Sequence, residues 1–349
     1  MPANKSQHFV PRCYLRAFCA DDEGAAINVF NMARELLIQA APAKGQCAKP
    51  YFYGRDGELE RALQEPEGEY GEIMRRVVND PHAATWTDIS TLSGFMLLQS
   101  YRSAAWIEGE IRLAEAERAM VADEATPELL ESLVVTHEMA LQLALSAFRN
   151  SIESTAHLQT RIVLNRTVMP FFTSDDPVVY TNRFHLQKNV LGGAGIGSPG
   201  AMLLMPLTPR FLLLSFDPAI YRLEKLLGKL GVIDRVSDVA AFNDLQAVRG
   251  HANLYFRDWN DRALVASMYE KAKPRRRETW FDVETLQETE AGSNTFVAVA
   301  GRWVHHPGRR EMLHTQRNIP APATWPSLLT YTEHARRARR GVDQASLWE

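Results

Sequence analysis

Cysteine is scarce: Cys13, Cys19 and Cys47 are the only three in 349 residues, and they form neither a CxxC pair nor any other metal-ligand spacing. An odd, scattered set excludes a secreted disulfide framework and a cysteine zinc site, so a reducing cytoplasm is the expected compartment. An excess of either charge is also missing. With 39 Lys and Arg against 42 Asp and Glu, the net charge is -3, and a nucleic-acid contact would need a local basic patch. Nor is there a long apolar run free of helix breakers. Residues 190–209 are uncharged over about the length of a membrane span, but five glycines, Pro199 and Pro206 interrupt them, which predicts a loop and then a strand. The first residues lack the apolar core of a signal peptide. No membrane segment is expected.

What is present is an ordinary globular balance, 46% hydrophobic and 23% charged, enough to bury a sizeable core. The patterning predicts an α+β fold: a long central helical hairpin with a small antiparallel sheet and flanking helices. Residues 1–349 read as a single domain with two subregions, a mainly helical part over 1–166 with a short hairpin, and a mixed sheet and helix part over 167–349 with an extended C-terminal tail. Pro11 with Tyr14, Leu15 and Phe18 predicts a short helix, and residues 27–32 and 36–39 a hairpin. Residues 86–121 carry one apolar stripe, and Thr126-Pro127-Glu128 starts a second, predicting long helices over 86–121 and 127–162. Residues 168–172, 178–181, 202–205 and 211–216 are short apolar runs bounded by turn residues, read as strands. Helices are expected around 218–229 and 236–258, before a Pro-rich C-terminus with a basic stretch at 336–340.

Four segments, in this order, resemble the bacterial domain of unknown function 4238 family. They are Gln7-His8-Phe9-Val10-Pro11-Arg12-Cys13-Tyr14-Leu15-Arg16-Ala17-Phe18; Tyr51-Phe52-Tyr53 with a following acidic helix; Gln99-Ser100-Tyr101-Arg102; and Phe172-Thr173-Ser174-Asp175-Asp176-Pro177-Val178. Pro206-Leu207-Thr208-Pro209 and Asn243 are similar to that family's later pattern. The resemblance implies an order of motifs and no activity; many relatives have asparagine where this chain has Asp176.

Polar residues set into apolar patterns are the candidate site. His8 lies just before a helix, with Gln7, Arg12 and Arg16 close by, and can act as acid or base near neutrality. Its bland reading is a helix-end hydrogen bond. Ser174, Asp175 and Asp176 stop at Pro177, which displays them at a strand end; the same residues also build self-satisfying turns. Gln99 and Arg102 share a helix face, and a buried Arg needs an acidic or phosphate partner. One function is therefore a metal-independent site that binds, with hydrolysis as its extension, a phosphate-bearing ligand such as a nucleotide or nucleic acid. In it His8 and Asp175 are catalytic, Asp175 orienting His8 or Arg102, while Gln7, Arg12, Gln99, Arg102 and Ser174 hold substrate, and the three segments that carry these residues are expected to meet in space. The alternative is a non-catalytic protein, its polar motifs forming a structural network and its function lying in a protein partner. A hydrolase with Ser174 as nucleophile lacks the glycines of a nucleophile elbow.

Other patterns exclude themselves. Gly195-Ile196-Gly197-Ser198-Pro199-Gly200 matches a dinucleotide fingerprint, but no helix N-terminus follows. His137-Glu138 has Leu141 where a zinc protease needs its second histidine. Residues 273–277 are basic without interleaved aromatics, the mark of a solvated surface. No metal and no cofactor is implied.

Overall fold

Pro11, with an extended backbone, delivers the chain from strand β1 (Ser6–His8) into helix α1 (Arg12–Leu15), as the sequence predicts. A computed structural model describes residues 5–186, 194–299, 301 and 309–337. The expected hairpin forms as β2 (Ala26–Asn31) and β3 (Leu36–Pro42), followed by β4 (Ala48–Pro50), which pairs with β1. The acidic helix is α2 (Glu58–Asn79).

The helical middle is more broken than its apolar stripe suggests. Thr85 and Asp88 make a reciprocal capping box that starts α3 (Trp86–Arg102). Ser103 is then extended and its hydroxyl caps Trp106 N–H, so a separate helix, α4 (Ala104–Val121), begins there. The second expected helix also divides. Thr126 caps α5 (Pro127–Ser132), Thr136 caps α6 (His137–Ser154), and strand β5 (Gln159–Asn165) already occupies the end of the predicted span. Each break is made by a Ser or Thr whose side chain offers the backbone a substitute partner, which the apolar spacing does not register.

The chain then runs through β6 (Thr173–Ser174), β7 (Val179–Thr181), α7 (Arg183–Leu186), β8 (Met202–Thr208), β9 (Phe211–Phe216), β10 (Tyr221–Leu223), β11 (Leu226–Leu227) and β12 (Leu230–Ile233). The helix expected over 218–229 is thus strand and turn: Asp217 accepts from Ala219 N–H, and Gly228 turns with φ +60°. Residues 168–172 are irregular backbone instead of a strand. Helix α8 (Val236–Arg249) stops at Gly250, well before residue 258, and β13 (Asn253–Phe256) follows it. The remainder is α9 (Arg262–Ala272), β14 (Phe281–Glu288), β15 (Phe296–Val299), β16 (Glu311–Arg317) and β17 (Leu329–Tyr331). Residues 190–193 of the uncharged stretch and 338–340 of the basic one lie outside the described residues.

Two larger sheets organise the whole. One has the order β11-β12-β5-β9-β8-β7, with β12 parallel to β5 and the other pairs antiparallel, so the sheet is mixed and not purely antiparallel as expected. β8 and β9 are buried along their whole length, which explains their unbroken apolar runs. The second, β3-β2-β13-β6, places β13 at the side of the early hairpin. A third, β15-β14-β16, lies against α4; helix α6 packs on both α3 and α4.

Tyr14 ties these layers together. Its hydroxyl lies 2.6 Å from Thr173 Oγ1 and donates to the Pro206 carbonyl at 2.7 Å, joining α1 to β6 and β8 in a fully buried setting. Burial holds its phenol protonated. Tyr14→Phe, which keeps the ring and orphans those two oxygens, is expected to lower stability by about 1–3 kcal/mol, read as a shifted urea midpoint with unchanged slope.

Candidate functional site

The residues singled out in the sequence fall into two separate groups. Gln7 is fully buried and supports the turn after β4: its Oε1 accepts from Tyr53 N–H at 2.6 Å and its Nε2 donates to the Gly54 carbonyl at 3.0 Å. Gln99 Nε2 donates to the Phe9 carbonyl at 2.9 Å, and Gln99 Oε1 accepts from Arg102 Nε at 2.8 Å. Arg102 Nη1 reaches Glu67 Oε1 at 2.9 Å. The first and third motifs of the chain therefore do meet, in a buried network that leaves Arg102 Nη2 without a hydrogen-bond partner among the described residues. His8 is half-buried, its Nε2 lies 3.1 Å from the Lys44 carbonyl, and burial lowers its pKa. Arg12 is exposed.

Ser174 and Asp175 stand apart from that network. Ser174 is fully buried, its Oγ 2.9 Å from the Asp176 carbonyl and 3.0 Å from Gln246 Oε1. The Asp175 carboxylate accepts the backbone N–H groups of His251, Ala252 and Asn253 at 2.9–3.2 Å. It therefore orients neither His8 nor Arg102: its hydrogen bonds go to the loop that leaves α8. Burial raises its pKa. Gly250 is what allows the close approach, since a Cβ there would sit 2.9 Å from both the Gln246 carbonyl and Ser174 Cβ.

His251, held by Asp175 through its backbone, faces a cavity of about 340 Å³. Its Nε2 lies 3.1 Å from Glu108 Oε2 on α4, and Glu108 in turn pairs with Lys49. The hydrogen bond to Glu108 raises the His251 pKa, and the same bond, with Lys49, pulls Glu108 down to about 2. Five arginines, 112, 249, 276, 277 and 317, line the cavity with His251, against three glutamates, 108, 110 and 278. Arg249 Nη1 lies 2.9 Å from Asp176 Oδ2, Arg276 donates to the last carbonyls of α8, and Arg317 pairs with Glu110. Arg112 is exposed. None of Gln7, His8, Arg12, Gln99, Arg102, Ser174 and Asp175 lines this cavity. Sequence reasoning missed it because the Arg-Gly-His end of α8 and the Arg-Arg-Arg run before β14 meet only in three dimensions. The available signal was Gly250, a helix stop followed at once by a histidine.

A second cavity of about 300 Å³ adjoins the first, and Trp106, Arg249, Trp280 and Arg317 line both. Among the described residues no group of three His, Cys, Asp or Glu side chains is placed to hold a metal ion, and no helix is long and apolar enough to cross a membrane.

Fold and cleft together define a mixed α+β protein with an arginine-rich cleft beside a histidine–glutamate pair. The chain belongs to the DUF4238 family, described as a protein of unknown function, whose pattern matches residues 6–260. No curated protein and no solved structure matches it significantly.

Two outcomes follow from this geometry. Arg102→Ala removes a 4%-exposed guanidinium and strands Gln99 and Glu67, and should cost about 3 kcal/mol of unfolding free energy; Arg102→Lys should not restore it, because an ammonium lacks the fork that reaches both partners. For the cleft pair, the raised His251 pKa means that its contribution to stability is complete below pH 6.5, the histidine's ordinary value, and fades as pH rises through the raised value. The depressed Glu108 value places the opposite loss below pH 4.5, as pH falls toward about 2. Glu108→Gln should move the His251 titration, followed by NMR, to lower pH and flatten the upper limb of stability against pH; an unmoved titration contradicts the pairing.

Proposed function

We propose that the protein binds a phosphate-bearing ligand, a nucleotide or a nucleic-acid segment, in the arginine-lined cleft, without a metal. The carrying observation is the five arginines and one pKa-raised histidine around a single concave site, against three glutamates. Guanidinium forks match phosphate oxygens, and a cavity concentrates their field. His251, with Glu108 behind it, is the group in position to donate or take a proton, which extends the reading to hydrolysis. In this reading the acid–base role given to His8 passes to His251, and Asp175 becomes a positioning residue that fixes the His251 backbone.

The N-terminal polar motifs take the alternative role, a structural network, supported by the hydrogen bonds of Gln7 to the turn after β4 and by those of Gln99 to Arg102 and the Phe9 carbonyl. A reducing cytoplasm fits the three cysteines, since burial holds the Cys13 thiol up at about 12 and leaves it little nucleophilic character.

Inorganic phosphate and pyrophosphate are the direct probes. Changing both Arg112 and Arg277 to Ala removes one exposed guanidinium and one that is 45% exposed, whose partner Asp282 is itself 44% exposed, so thermal unfolding should be little changed, while pyrophosphate affinity by calorimetry should fall at least about tenfold. Equal binding by the double variant and the parent protein would sink the proposal. Turnover of a nucleotide in the presence of a chelator, lost in His251→Ala with binding retained, is the result expected for the hydrolytic extension.

A further inference from the structure

The adjoining cavity has a different chemistry from the arginine-lined one. Its walls include Tyr101, Val178, Leu203, Ile319 and Pro320, so it is largely apolar and aromatic. Tyr180, also in the wall, already donates its hydroxyl to the Ala194 and Gly195 carbonyls, at 3.1 and 2.8 Å. Ser100, Asn318, Arg249 and Arg317 add polar groups to the wall, and Asp176 adds the carboxylate. Asp176 is only 2% exposed, and its Oδ2, ion-paired with Arg249 Nη1 at 2.9 Å, accepts no hydrogen bond among the described residues. A buried carboxylate oxygen with acceptor capacity to spare gains a charge-assisted hydrogen bond from a ligand that brings an N–H to it.

The cleft is thus a cationic outer compartment joined to a largely apolar inner chamber that holds one carboxylate. A ligand complementary to both has an anionic end, a flat apolar body and an N–H on the edge of that body. Inorganic phosphate, a sugar phosphate and an acyl phosphate each lack the flat body with a donor edge; a nucleobase has both. Resting on the proposed phosphate site, we infer that the ligand is a mononucleotide whose base occupies the inner chamber and donates to Asp176, with its phosphate among Arg112, Arg277, Arg317 and His251. The paired volumes of about 340 and 300 Å³ fall within the range of small-molecule sites.

Calorimetric titration of the full chain with AMP, GMP, CMP, UMP, ribose 5-phosphate and pyrophosphate tests it. At least one nucleotide should bind about tenfold or more tightly than ribose 5-phosphate, the gain expected of a buried, hydrogen-bonded base. Asp176→Ala should erase that preference and leave pyrophosphate binding intact. Because a buried aspartate also supports the fold, Ile319→Trp, at a partly exposed position in the chamber wall, provides a second variant that should erase the same preference by filling the space. If ribose 5-phosphate matches the best nucleotide, or both variants keep the preference, the base-binding chamber is overturned while the phosphate site stands. A single-stranded oligonucleotide binding where no mononucleotide does overturns it as well. If neither pyrophosphate nor any nucleotide binds, the phosphate site itself fails and the inference with it.

Discussion

Residues 170–177 pass through the interior with only the two residues of β6 in a regular ladder, so most of their polar backbone must find partners elsewhere. Helix α8 supplies them. Asn243 takes the Phe172 N–H and donates to the Pro170 carbonyl, Gln246 donates to the Pro177 carbonyl and meets the Ser174 hydroxyl, and Gly250 lets the two backbones close. Asp175 returns the favour by binding three amides beyond the end of the helix. From this reciprocal clasp follow the placement of β13 beside β6, the exit direction of the loop, and the location of Arg249 and His251 at the cleft.

The clasp also explains why Ser174 and Asp175, at the centre of the most polar motif in the sequence, do not line the cleft. A buried turn rich in Ser and Asp is tolerated because Ser174 and Asp175 are hydrogen-bonded and Asp176 is ion-paired with Arg249, and the result is rigidity. Rigidity next to a cleft has functional value: His251 needs a fixed backbone if its ring is to stay within reach of Glu108, and Asp175 supplies that fixity from behind.

Much of the fold was legible because it rests on local rules. Pro11 marked the first helix, the two short runs at 27–32 and 36–39 marked the hairpin, and the runs that became β8 and β9 were recognisable by apolar composition. The errors share a physical origin. Ser103, Thr136 and Asp217 break or redirect the chain by a side-chain hydrogen bond to nearby backbone, an event that leaves the apolar period on either side undisturbed. Of the candidate site, the need of a buried Arg102 for an acidic partner was legible, and Glu67 meets it at Nη1 while Nη2 stays without a hydrogen-bond partner. The cleft could not be read because its arginines come from α4, the end of α8, the segment before β14 and the end of β16, each unremarkable on its own.

The two sides of the cleft differ in what else they do. Glu108, Arg249 and His251 lie within residues 6–260, the part that carries the family pattern, and are built into helices and a loop that the core requires. Arg276, Arg277, Trp280 and Arg317 lie beyond that part, beside or on the outer sheet β15-β14-β16. A change on the first side disturbs the scaffold along with the cleft, whereas a change at Arg277, whose partner Asp282 is itself 44% exposed, alters mainly the shape and charge of the cleft. The cleft thus has an anchored jaw and an adjustable one, and its charge and shape can be altered from the adjustable side without reopening the question of how the chain folds.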